Sequence, residues 1–412
     1  MRQALHTPLG QSLSAADKLA LHRAGMAWRF THSELKNLID MAADFSAWNE
    51  MPLSERLEQN FPNREAAYRH LYNDWNALKN QAKSYSGFQG RVPPEKGKKI
   101  IATTKPLPGF GRCPVASPRT RCCNLLTLDA AEGCGFDCTY CSIRYFYGSG
   151  TKGSGAIGIS KNILAKLKEI ELDPQKTYHI GTGQSSDSLM WGNQFGILDG
   201  LLDFAAGHPN VILEFKTKSD NIAPLLSRPI PANVISTWSL NPQVIIASEE
   251  HLTASLEARL AAARKIADKG NLVGFHFHPM VLYNLWKTDY KTIISRIIES
   301  FLPSETAMVS FGTLTYTKSV IKKIRERRMK SRILQMPLEE IEGKLSYPLE
   351  IKRTMFRFAY QAFAPWHGKV FFYLCMEENS LWPDVFGTAY SDNAEFEEDM
   401  IESYRKKIQL KT

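Results

Sequence analysis

Between residues 122 and 314 one pattern recurs six times: a short run rich in β-branched and aromatic residues, usually followed by a stretch with apolar residues at three- and four-residue spacing. The runs occupy 122–129, 176–182, 211–217, 233–240, 272–280 and 307–314, and helical patterns lie at 160–171, 196–207, 253–269, 288–301 and 317–330. Two parallel strands need a crossover of a dozen or more residues between them, which a helix supplies. The alternation therefore predicts an α/β fold of βα units around a parallel sheet. Six units fall short of a complete eightfold barrel, which leaves a partial (βα)6 barrel of TIM type or a doubly wound sheet.

The flanks divide the chain into three expected parts. Residues 1–115 form a helical N-terminal region and linker, with Ser54 as an N-cap ahead of a long helical pattern and a connecting segment at 87–114 rich in Gly, Pro and Lys. Residues 116–335 hold the barrel. Residues 336–412 add a small α+β segment with a helix near 349–363, a strand at 369–376 and an acidic tail. Gly148, Gly150 and Gly153 satisfy GxGxxG, but no strand directly precedes them, so they read as a loop and not as a dinucleotide fingerprint.

With 43% apolar residues the chain can bury a large core. It shows no signal-peptide core near its start and no run approaching the roughly 20 apolar residues of a membrane helix, so a cytoplasmic protein without membrane attachment is expected. Seven cysteines, an odd number, do not suggest a disulfide framework. The net charge of +9 favours a polyanionic partner such as nucleic acid.

Three of the cysteines, Cys134, Cys138 and Cys141, fall within the nine residues GCGFDCTYC at the end of the first run. A structural zinc site asks for four ligands, usually as two separated pairs, and here there is one tight trio. Three thiolates suit a [4Fe-4S] cluster whose fourth iron stays open, and an open iron can chelate S-adenosylmethionine (SAM) and reduce its sulfonium. The C-x3-C-x2-C spacing, with Tyr140 ahead of the third cysteine and a strand ending before the first, resembles the signature of the radical SAM enzymes.

The segments GTGQSSDSL, FKTKSDN and WSLNP, followed by the stretch from Glu249 to Pro279, resemble in their order the spore photoproduct lyases and related proteins often labelled DNA repair photolyases. The resemblance covers roughly residues 120 to 330. It implies a lyase-like enzyme that forms a 5′-deoxyadenosyl radical and takes hydrogen from a nucleic acid, fed by a one-electron reductant of flavodoxin or ferredoxin type. It also implies that Ser186, Asp187, Lys218, Ser239 and Asn241, with Tyr140, hold SAM. A lysine can neutralise the SAM carboxylate, while Ser186 and Asp187 can equally cap a helix and Asn241 can be a turn residue.

The chain departs from the family at two positions. The cysteine that returns hydrogen in the lyase corresponds to Gln184, and a tyrosine after the third cluster cysteine corresponds to Ser142. Cys375, on the late strand, is a candidate replacement donor, or a buried structural thiol. Cys122 and Cys123, adjacent on a strand, should point to opposite faces. His276 and His278 share one strand face and can meet substrate, or pack. The basic segment 318–332 can present Lys318, Lys322, Arg325 and Lys330 to a phosphate backbone, or to solvent. Two alternative functions remain open: radical chemistry on a peptide, lipid or small metabolite, and a non-catalytic iron–sulfur protein.

Overall fold

A computed structural model of the chain describes residues 2–90, 100–103, 109–113, 119–142, 145, 157–160, 163–341 and 343–411. Its centre is an eight-stranded sheet, named here in chain order: β1 Gly109–Arg112, β2 Leu126–Asp129, β3 Tyr178–Thr182, β4 Val211–Thr217, β5 Val234–Ser239, β6 Leu272–Met280, β7 Thr306–Thr313 and β8 Phe371–Leu374. The strands lie in the sheet in the order in which they occur in the chain. β2 to β8 are all parallel, and only the edge strand β1 runs antiparallel. Sequential parallel order with helices between is the arc of a βα barrel, and it excludes the doubly wound alternative, whose strand order reverses.

The sheet is wider than six units. β8, from the C-terminal segment, adds a seventh parallel strand, and β1 arises in the stretch read as a connector. The loop reading of Gly148, Gly150 and Gly153 lies outside the described residues. At the start of the barrel, Cys122 and Cys123 precede the strand. Asn124 turns the chain with φ +48° before Leu126 begins β2, so the two cysteines lie ahead of the strand and its alternation of faces does not govern them.

Parallel strands buried on both faces read as nearly continuous apolar runs, and β4, VILEFKT, does so apart from two charged residues. One face packs under helices Leu256–Asp268 and Trp286–Ser300: Phe275 meets Phe301 and Phe277 meets Tyr290. The other face lines the barrel interior and carries the polar residues, among them Glu214, Lys216, Thr237, His276, His278 and Ser310. The gap between the sheet's ends is spanned by a seam. The segment between β1 and β2 bonds to the chain after β8 through Asn379 N to Arg119 O (2.9 Å), Cys122 N to Asn393 Oδ1 (3.0 Å), Asn124 Nδ2 to Glu397 Oε2 (2.8 Å) and an isolated bridge between Thr120 and Glu378.

The N-terminal helices have a core of their own, built around Leu38, Phe45, Trp48, Leu53 and Leu71. Ser54 is not an N-cap. It lies inside the short helix Leu53–Arg56, the pattern breaks at Pro62, and Asn63 caps the following helix Arg64–Asn80 by accepting Ala66 N. In the basic segment Lys318, Lys322 and Lys330 are exposed as expected, Lys318 pairing with Glu340 at 2.8 Å, and Arg325 is the correction. From helix Lys318–Glu326, Arg325 is paired with Asp40 at 3.1 Å and Asp44 at 2.8 Å on the N-terminal helix His32–Trp48, and Arg332 reaches Glu50 at 3.3 Å. Arg325 and Arg332 bind protein, because the acidic N-terminal helix lies against that part of the segment.

Candidate active site at the mouth of the half-barrel

The cysteine loop leaves β2 and is held from three sides. From β3, Ser185 Oγ donates to Ala131 O (2.8 Å), Ser186 Oγ donates to Gly133 O (2.8 Å), and Ser185 O accepts Gly133 N (3.1 Å). From the chain after β5, Glu250–His251 pairs antiparallel with Asp137–Cys138. From the end of the basic helix, Arg327 pairs with Asp137. Cys138 is buried and Cys134 and Cys141 are half-buried. Burial, reinforced by the nearby Glu250 charge, pushes the Cys138 thiol well up, and both other thiols of the trio act on it. Among the described residues no group of three His, Cys, Asp or Glu side chains is set to hold a metal ion, so the trio shares this loop without closing on a centre. As a donor set, three thiols on one loop beside the Lys218 cation suit a thiolate-ligated cluster, because a coordinating metal deprotonates thiols.

The residues assigned to SAM fall on successive strand ends around this loop, and several are engaged by protein. Asp187 Oδ1 accepts Thr217 Oγ1 (2.7 Å), Met190 N (2.9 Å) and Leu189 N (3.1 Å), while Oδ2 accepts Lys218 N (2.8 Å). Asp187 thereby caps its own turn and fixes the backbone of Lys218. Asn241 is fully buried, donating to Glu250 Oε1 (2.7 Å) and accepting Tyr290 Oη (2.7 Å). The Tyr140 hydroxyl also donates to Glu250. Ser239 ends β5, and its carbonyl accepts Arg259 Nη1 (2.8 Å).

Glu250 and Arg259 were not singled out from the sequence, yet they centre this arrangement. The two form an ion pair at 2.6 Å with both side chains 0% exposed. Burial works against the carboxylate, but Arg259 and Lys218 keep Glu250 below its ordinary range. This one acidic residue links the loop through Tyr140, the strand end through Asn241, and the helix through Arg259. Its signal in the sequence was the pair of acids before HLTAS, visible but without a partner in sight.

Inside the barrel a second polar set fills the interior. Glu214 accepts His179 Nε2 (2.9 Å), His276 Nε2 (2.8 Å) and Thr237 Oγ1 (2.8 Å). His276 Nδ1 lies 2.6 Å from Ser310 Oγ, which lies 3.1 Å from His278 Nε2, and His278 Nδ1 lies 3.4 Å from Lys216 Nζ. His276 is 2% exposed and uses both nitrogens within the protein. His278 is half-buried nearer the mouth. Gln184 is half-buried, and its Nε2 lies 3.7 Å from Cys113 Sγ. Cys375 directly follows β8, and Lys216, Cys113 and Cys122 all act on it electrostatically. The four cysteines outside the trio therefore share one neighbourhood, which their scattered positions in the sequence did not reveal. Ser142 is near Thr315, whose carbonyl its hydroxyl reaches at 3.4 Å.

The profile of the family described as spore photoproduct lyase matches residues 122–349. Over 202 residues, 48% of this chain and 59% of the relative, the sequence is 26% identical to the spore photoproduct lyase of Clostridium acetobutylicum. Over 208 residues, 50% of this chain and 61% of the relative, it is 22% identical to that of a Geobacillus species. The matched stretch thus spans about three-fifths of each of these relatives. Among solved structures, a spore photoproduct lyase complexed with dinucleoside spore photoproduct is similar at TM-score 0.55 and 19% identity, covering 74% of this chain and 94% of that one. A variant with bound AdoMet and dinucleoside spore photoproduct is similar at TM-score 0.54, also 19% identical, covering 74% and 93%. At this identity the likeness establishes the fold.

Proposed function

The chain belongs to the spore photoproduct lyase family, and from that premise we propose that it is a radical SAM enzyme that takes hydrogen from a nucleic acid substrate, in repair or modification of DNA. One observation carries the reading: the three-cysteine loop is clamped by Ser185 and Ser186 and joined through Glu250 to the strand ends that carry Lys218, Ser239 and Asn241. Cys134, Cys138 and Cys141 would hold a [4Fe-4S] cluster. When bound, such a cluster would supply the one-electron reduction by which SAM is cleaved to a 5′-deoxyadenosyl radical.

The chain's own residues then have definable tasks. Lys218 neutralises the SAM carboxylate, with its backbone fixed by Asp187, so Asp187 is a positioning residue. Ser186, Ser239, Asn241 and Tyr140 shape the rim around SAM, orienting it through packing and through the Glu250 network. Gln184 stands where the lyase carries its hydrogen-returning cysteine, so the returning thiol must come from elsewhere. Burial pushes the Cys375 thiol up to about 12, which keeps it protonated at neutral pH, as a hydrogen-atom donor must be. We assign that role to Cys375, with Cys113 beside Gln184 as the neighbouring thiol.

Reconstituted protein incubated with SAM, dithionite and UV-irradiated DNA should form 5′-deoxyadenosine in amounts that rise with the DNA. DNA-independent formation would sink the nucleic acid reading and favour the second one that Gln184 motivates, a peptide, lipid or small-metabolite substrate. Absence of SAM cleavage altogether would leave a non-catalytic iron–sulfur protein.

A further inference from the structure

The interior hydrogen bonds have a forced direction. A lysine ammonium only donates, so His278 Nδ1 accepts from Lys216 and His278 Nε2 carries the proton. That N–H donates to Ser310 Oγ, the Ser310 hydroxyl donates to His276 Nδ1, and His276 Nε2–H donates to Glu214 Oε1. Glu214 satisfies both oxygens with two imidazoles and Thr237, so it is not in contact with the lysine. The chain of bonds fixes every tautomer and pins one cation at its outer end. His278 Nδ1, at 3.4 Å, is the one hydrogen-bond partner of Lys216 Nζ among the described residues, and no carboxylate there lies within ion-pair distance. Two of its three N–H groups are left for a ligand at the half-exposed mouth.

Lys216 lies near the C-terminal end of β4, and Lys218 follows directly after the strand. Lys218 lies beside Cys138 and Glu250 on the cysteine-loop side, whereas Lys216 lies beside His278 and Cys375.

We propose that Lys216, pinned by the Glu214–His276–Ser310–His278 chain, is the substrate's phosphate-binding residue and holds that group next to Cys375. The inference rests on the reading of this mouth as the substrate site, and it adds that the substrate enters with a phosphate on Lys216 as a point-charge contact.

The test uses the full chain and inorganic phosphate first. Phosphate at ten times its dissociation constant should raise the melting temperature by about 2 °C relative to chloride at equal ionic strength. The rise should vanish in Lys216→Ala and persist in Lys216→Arg. No phosphate-specific rise in the wild type, or an equal rise in Lys216→Ala, would overturn the proposal. SAM affinity gives a second readout: a Lys216→Ala protein that loses SAM binding but keeps the phosphate response would place Lys216 on the cofactor and overturn the proposal too. A final arm compares a thymidine dinucleotide with its neutral methylphosphonate analogue. Lys216→Ala should weaken the first at least tenfold and leave the second unchanged. Equal weakening of both would mean a structural role for Lys216. If the phosphate response holds while neither dinucleotide binds the wild type, the phosphate site stands and the nucleic acid reading fails.

Discussion

Gly183 is the pivot of the clamp on the cysteine loop. It sits at φ +71°, and a Cβ there would come within 2.7 Å of Ser188 N and 3.0 Å of the Asp187 carbonyl carbon. Gly183→Ala should cost about 1–3 kcal/mol in strain and displaced backbone, seen as a lower denaturation midpoint, and should lower the iron retained after reconstitution because Ser185 and Ser186 move with it. The interior imidazoles give a pH signature. Burial, with Lys216 beside it, holds His276 down at about 4, and His278 is lowered for the same reasons. The folded chain refuses protons that the unfolded chain takes up below about pH 6.5, so stability is fully present above that pH and falls as pH drops toward 4. His276 alone is worth on the order of 3 kcal/mol. Despite burial, His179 and His276 hold Glu214 well below its ordinary range, so its own loss comes at lower pH in the same direction. Urea midpoints measured from pH 7 to pH 4.5 should fall steeply in the wild type and less steeply in His276→Gln. The cysteine trio was legible in the sequence because its spacing is local. Glu250, Arg259 and Lys216 were not singled out, because their meaning comes from partners brought close only by the folding of separate strands. The clue was a charge inside an apolar strand, as with Glu214 in VILEFKT.

Helix Lys318–Glu326 shows how an element acquires its role from what covers it. Its apolar stripe of Val320, Ile321 and Ile324 is buried as the pattern requires. The basic residues were ambiguous in the sequence because the acids that meet them lie some 280 residues earlier in the chain. Arg325 stays charged against the cost of burial because Asp44, 1% exposed, and Asp40 face it. Arg325→Ala leaves Asp44 buried without its cation and should cost about 3–5 kcal/mol. Hydrogen exchange should quicken in His32–Trp48 while β4 to β6 keep their protection; uniform quickening would mean that the helix instead supports the whole barrel. The βα alternation was legible because long, periodic segments carry it. Of the two outermost strands, β8 was legible as a strand but not as a member of this sheet, and β1 was read as connector; each has only four residues and gains its place from the neighbour it pairs with.

For the whole molecule, we propose that residues 1–115, 116–335 and 336–412 are three parts, the first with a core of its own and the last completing the second. A chain ending at residue 335 would expose the β7 edge that β8 covers and would lose Glu377, which accepts Thr313 N at 3.0 Å at the end of β7. An uncovered parallel edge invites pairing with other chains, so the shortened protein should aggregate on expression, whereas the full chain should elute as a discrete species in gel filtration. The seam between the sheet's ends is another matter. Among the described residues it is a clasp on a bracelet: a few separate hydrogen bonds, each worth about 1 kcal/mol, and no continuous ladder. A clasp of that strength can spring while the band keeps its shape. The join should therefore open before any βα unit of the band melts, with hydrogen exchange at Cys122 N and Asn379 N faster than within β4 to β6.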